Sequence, residues 1–104
     1  LTKGMMEWFA GHYLDSEGLK DDARVSPLLA ENVDGLPPAV VVTAGFDPLR
    51  DEGEAYSDKL KKANNEVTYI EFPKYIHGFF NMLQIPGIKN SVDEICQVFQ
   101  RYIK

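Results

Sequence analysis

The run Ala39-Val40-Val41-Val42-Thr43-Ala44 carries no charge, glycine or proline, and apolar residues do not alternate with polar ones along it. A strand with one face in water alternates, whereas an unbroken β-branched run is the pattern of a strand covered on both faces. A second run, Val67-Thr68-Tyr69-Ile70-Glu71-Phe72, is closed by Pro73. Between them Asp47-Pro48 reads as a helix start, with an acidic N-cap, proline at the first helical position, and Asp51 and Glu52 in the first turn. Leu49, Ala55, Tyr56, Leu60 and Ala63 continue that helix to Asn64-Asn65. The spacing predicts strands over 39–44 and 67–72 joined by a helix over 48–63. A helical crossover joins parallel strands, and such crossovers are right-handed in nearly all cases, so the two strands run parallel and the fold class is α/β.

The flanks add helices. Met5, Met6, Phe9, Ala10, Tyr13 and Leu14 recur at helical spacing after a Thr2 cap, predicting a helix over 3–14 whose stripe packs into a core. A pocket lining is the alternative for that stripe, and His12 lies off it, at the surface. Leu19 to Pro38 is irregular, with a helical turn near Leu28–Glu31. A loop over 73–89 carries His77, and a capping box at Ser91 and Glu94 opens a last helix over 91–103. Val92, Ile95, Phe99, Tyr102 and Ile103 form its apolar face, with Cys96 beside it. One βαβ unit leaves Val-rich strand edges unpaired, so the sheet reads as incomplete. A partner chain, a swapped dimer or a missing N-terminal portion must cover those edges, and the missing portion is the expectation. Alone, the chain is expected to self-associate through Val40–Val42 or Val67–Phe72, or to fold marginally.

Composition excludes several functions. The 104-residue chain has a net charge of −5, against the basic footprint that nucleic-acid binding requires. No apolar stretch approaches the length of a membrane span, and residues 1–7 lack the pattern of a secretion signal. One cysteine, Cys96, forbids an internal disulfide and suits a reducing compartment, so a cytoplasmic location is expected. Two histidines and no paired cysteines leave little from which to build a metal site.

Chemistry concentrates at the strand ends. In a parallel sheet the C-terminal ends of the strands share one edge, where α/β proteins place their sites. Asp47 follows the first strand and His77 the second, so the two side chains can meet above that edge. An aspartate accepting the Nδ1 proton of a histidine fixes its tautomer and stabilises the imidazolium formed when Nε2 takes a proton from a nucleophile. Asp47 as a plain N-cap and His77 as a surface residue are the alternatives. A third, Asp47 as phospho-acceptor, lacks the neighbouring acids that would hold Mg²⁺.

The segment Leu36-Pro37-Pro38-Ala39-Val40-Val41-Val42-Thr43-Ala44-Gly45-Phe46-Asp47-Pro48-Leu49-Arg50-Asp51-Glu52-Gly53 resembles the catalytic-acid region of the hormone-sensitive-lipase-like carboxylesterases of the α/β-hydrolase superfamily. Phe72-Pro73 followed by Ile76-His77-Gly78-Phe79 is similar to their histidine loop, and Met6-Glu7-Trp8-Phe9 and Ser26-Pro27-Leu28-Leu29-Ala30 match the stretch before the acid. The resemblance covers nearly the whole chain. It implies the C-terminal portion of an α/β-hydrolase fold, with Asp47 orienting the base and His77 acting as base and then acid. It also implies a small-molecule ester substrate and no cofactor. Ile76, Phe79 and Phe80 are candidates for an apolar wall beside the substrate, with core packing the alternative. Lys74-Tyr75 departs from the Gly-Met common in the family. The nucleophile motif Gly-x-Ser-x-Gly and the His-Gly-Gly-Gly oxyanion loop are absent. Ser16, Ser26, Ser57 and Ser91 lack the flanking glycines. The family order of serine, acid and histidine places the missing serine upstream of Leu1, so the chain alone is expected to be inactive. The rival is a non-catalytic βαβ interaction module, or a degenerate hydrolase remnant, that self-associates.

Overall fold

The computed structural model describes residues 1–103. Thr2 opens the first helix, α1 (Lys3–Tyr13), by accepting the Met5 N–H on Oγ1 at 3.2 Å. The helix ends one residue short of the expected 3–14, where Leu14 turns extended while its N–H still reaches the Ala10 carbonyl. Its apolar stripe does not enter a core. Met5, Trp8, Phe9 and Tyr13 are exposed, and no residue of α1 is buried. An amphipathic helix is buried by a partner surface rather than by its own pattern, and no described element packs closely over this face. His12 is exposed as expected, its ring lying 4.0 Å from that of Trp8. Short 3-10 turns follow at Glu17–Asp21 and Pro27–Leu29, the second where a helical turn is expected.

The strands β1 (Ala39–Phe46) and β2 (Val67–Ile76) pair in parallel, Ala39 against Val67 through Ala44 against Phe72. Both outlast their expected ends, β1 by two residues and β2 by running through Pro73 to Ile76. The ladder breaks after Ala44 and resumes with Phe46 against Ile76, so Gly45 lies opposite the longer segment Pro73-Lys74-Tyr75. Pro73, which has no N–H to donate, falls in this bulge, where the ladder needs none. Gly45 is required by close approach: a Cβ there would overlap the Pro73 carbonyl and lie 2.7 Å from Pro73 Cα.

The crossover helix is α2 (Arg50–Lys62) rather than 48–63. Asp47 is not its N-cap. Pro48 and Leu49 form a turn in which Asp47 Oδ1 accepts the Leu49 N–H at 2.8 Å and its carbonyl accepts the Arg50 N–H at 3.1 Å. The helix therefore starts after this Asx turn. Gly53 lets α2 settle on β1, since a Cβ there would stand 2.8 Å from Thr43 Cγ2. Ser57 and Leu60 are buried on that side, whereas Ala55 is exposed. Asn64, with φ 64°, terminates the helix, and Asn65 binds the Val33 carbonyl and the Leu36 N–H, fastening the preceding loop.

The last helix, α3 (Ile88–Gln100), also departs from its expected 91–103. Gly87, with φ 89°, is its N-cap, and the Ser91–Glu94 capping box does not form. The Ser91 hydroxyl instead bonds the Tyr75 phenol at 2.7 Å and the Gly87 carbonyl at 3.2 Å. Ile88 and Ile95 are buried and Val92 partly so, but Phe99, Ile103 and Cys96 are exposed. Ala44, Phe79, Ile88 and Ile95 form the core with Val42, Ile70, Phe72, Tyr75 and Val92 around them. Adjacent strand residues point to opposite faces. Thr43 meets α2 and Ala44 meets the α3 side, so the helices cover the two faces of the sheet. The outer edges of β1 and β2 are unpaired among the described residues.

Candidate active site

Asp47 lies one residue beyond β1 and His77 one residue beyond β2, on the same edge of the parallel pair. His77 Nδ1 stands 3.0 Å from Asp47 Oδ2. The carboxylate divides its work, Oδ1 accepting the Leu49 N–H and Oδ2 facing the imidazole. Its side chain is 14% exposed against 44% for His77. In the tautomer that donates Nδ1–H to Asp47, Nε2 carries the lone pair. Gly78, with φ 81°, reverses the chain immediately after the histidine, and the 3-10 turn Phe79–Asn81 follows. A left-handed residue at that point is inexpensive only for glycine.

The other expected residues separate. Phe79 is buried, its ring 5.4 Å from Phe72 and 4.9 Å from Tyr75, which is the core-packing alternative. Ile76 is half exposed, and Phe80 is exposed as well. Ile76 and Phe79 nonetheless both line an open, largely apolar depression of about 310 Å³, together with Tyr75, Met82 and Ile88. Beside the site, Arg50 pairs with Asp51 at 2.7 Å and with Glu71 at 3.8 Å. The hydrogen bonds that Arg50 donates to Asp51, and the Asp51 charge, raise the Arg50 pKa further.

Among the described residues none of the four serines that the sequence singles out is hydrogen-bonded to the histidine. Ser26 donates to the Lys20 carbonyl, Ser91 joins Tyr75, and Ser57 is buried in α2 with its hydroxyl unpartnered. Among the described residues no cluster of histidine, cysteine, aspartate and glutamate could hold a metal ion, and no helix is long and apolar enough to cross a membrane. Sequence reasoning singled out Tyr75 only as a departure from a family pattern. Its bond to Ser91 spans sixteen residues and left no local signal.

Comparison with known proteins identifies the fold. Residues 1–81 match the family described as alpha/beta hydrolase fold. A carboxylic ester hydrolase of Mycobacterium tuberculosis, LipN, is 48% identical over 88 residues, which cover 84% of this chain and 23% of that protein. An arylesterase of Saccharolobus solfataricus is 44% identical over 92 residues, covering 75% of this chain and 30% of its own. The solved structure of a thermophilic carboxylesterase cloned from a metagenomic library superposes with a TM-score of 0.93 at 35% identity, across 100% of this chain and 35% of that one. The chain thus spans 23% to 35% of the length of these relatives. Most of its length matches the family and its fold recurs in a solved carboxylesterase, so the chain belongs to the α/β-hydrolases, in the branch of the hormone-sensitive-lipase-like carboxylesterases.

Proposed function

We propose that this chain is the C-terminal part of a serine carboxylesterase and supplies the acid and the base of its triad. The observation that carries the reading is the 3.0 Å approach of His77 Nδ1 to Asp47 Oδ2 at the shared end of two parallel strands. In the proposed reaction Asp47 holds the Nδ1–H tautomer, and Nε2 of His77 removes the proton from a serine hydroxyl as it attacks the ester carbonyl. The imidazolium, stabilised by the Asp47 carboxylate, then protonates the departing alcohol. A water deprotonated by the same nitrogen releases the acid from the acyl-enzyme. No cofactor enters these steps.

The serine and the oxyanion-hole donors belong, on this proposal, to chain upstream of Leu1, together with the strands that cover the open sheet edge. The exposed Trp8 and Phe9 of α1 support this, as does an apolar groove of about 400 Å³ between Val40, Val42 and the Ile95–Phe99 side of α3. On this proposal Ile76, half exposed and adjacent to His77 in the chain, touches the ester, and Phe79 lines the same depression. The exposed free Cys96 suits a reducing, cytoplasmic setting.

In the full-length protein that carries this chain, Asp47→Asn or His77→Ala is expected to lower kcat by roughly 10⁴, because each removes a member of a concerted unit. Hydrolysis of a chromogenic short-chain ester is the measurement. Near-normal turnover by either variant would sink the triad assignment.

A further inference from the structure

Among the described residues His77 has one side-chain hydrogen bond, to Asp47, and it lies between the end of β2 and the turn at Gly78. Its place is therefore set by its flanks. Two residues before it, Tyr75 stacks on Phe72 with centroids 5.3 Å apart and planes 10° apart; two residues after it, Phe79 packs 4.9 Å from the same Tyr75 ring. Ring packing of this kind resists separation but is weakly directional. The directional restraint is the Tyr75 phenol, 2.7 Å from Ser91 Oγ in the first turn of α3. Ser91 also reaches the carbonyl of Gly87, the last residue of the loop that begins at His77. The two roots of that loop thus meet at one serine, on a helix anchored in the core by Ile88 and Ile95.

We infer that Tyr75 is a positioning residue for His77, its hydroxyl tying the histidine turn to α3 through Ser91. The inference rests on the triad reading above. It predicts a kinetic role for a group that touches neither substrate nor imidazole. Proton transfer between serine and histidine depends steeply on their separation, and displacement by an ångström can cost on the order of a hundredfold. A turn that is loosened rather than displaced should lose less.

Tyr75→Phe removes one oxygen, keeps the ring stack, and leaves Ser91 its bond to Gly87. Ser91→Ala cuts the same tie from the other side and places a good helix former in α3. In the full-length protein, each variant is expected to lower kcat on the order of tenfold with KM unchanged. The double variant should do little more than Ser91→Ala alone, because that substitution already removes the link that Tyr75→Phe cuts. The His77 Nδ1–H proton resonance should broaden or move in both variants, which a purely stabilising tyrosine would not cause. Assays are run at a temperature where circular dichroism shows each variant folded. Full kcat in both singles, with an inactive His77→Ala control, would overturn the role of Tyr75 and leave the triad standing. An active His77→Ala control would remove the triad reading and this inference with it.

Discussion

Asp47 joins two structural duties that the sequence presents as alternatives. Its position before Pro48 suggests a helix cap, and its position beyond a strand suggests the partner of a base. Instead of capping, Oδ1 closes an Asx turn, and Oδ2 is left facing His77. A side chain braced through one oxygen presents the other in a fixed direction, which is what orienting an imidazole requires. A simpler case of the same economy is Asp22, which accepts both the backbone N–H and the guanidinium of Arg24. These bonds lower its pKa to about 2. A carboxylate lowered in the folded state contributes stability at pH values above its unfolded pKa, near 4. That contribution is lost as pH falls through the folded value. Carboxyl carbon shifts followed by NMR should therefore give Asp22 a midpoint near 2 in the folded protein, with the turn at Asp22–Arg24 loosening below it. A midpoint near 4 would mean the pair does not persist in solution.

At the level of elements, the close contact between α2 and β1 is set at Gly53. Glycine inside a helix costs about 1 kcal/mol relative to alanine. Against that gain, an added Cβ at Gly53 would press on Thr43 Cγ2 at 2.8 Å, and overpacking of this kind costs about 1–3 kcal/mol. The contact is with a β-branched side chain on a strand, which has little room to yield, so the steric term should win. Gly53→Ala is expected to lower the unfolding free energy of the full-length protein by roughly 1 kcal/mol in urea titrations. A more stable variant would show that α2 can lift from the sheet at no cost. The bulge at Gly45 and Pro73 is the other element-scale device. It lets β2 run four residues further than its sequence signal, delivering His77 beside Asp47 rather than past it. Pro73 reads locally as a strand terminator, but a broken ladder tolerates a missing N–H, so the terminator reading failed there.

The whole molecule is underburied for its apolar content. Among large hydrophobic residues, Trp8, Phe9, Phe46, Phe99 and Ile103 are all more than half exposed, and the parallel pair has no described neighbour on either edge. Two-stranded parallel sheets are not independently stable arrangements. Expressed by itself, the 104-residue chain is expected to self-associate or unfold in sedimentation and circular dichroism, and to show no ester hydrolysis above background. A stable, monodisperse monomer would contradict the first expectation, and measurable turnover would contradict the second.

Sequence alone determined the βαβ order, the parallel sense of the strands and the placement of Asp47 and His77 beyond their ends. Each follows from local patterns: an apolar run, a helical period, and the crossover that a helix between two strands makes. The family resemblance was legible for the same reason, because its motifs are contiguous. Tertiary structure decided the rest. It fixed the register break that aligns the two side chains, and it turned Asp47 from cap to Asx turn. It moved the start of α3 to Ile88 by drawing Ser91 into a bond with Tyr75, and it left the stripe of α1 uncovered. These outcomes depend on which distant groups arrive at a given atom. A hydroxyl with two prospective partners looks the same in sequence whichever partner the fold brings to it.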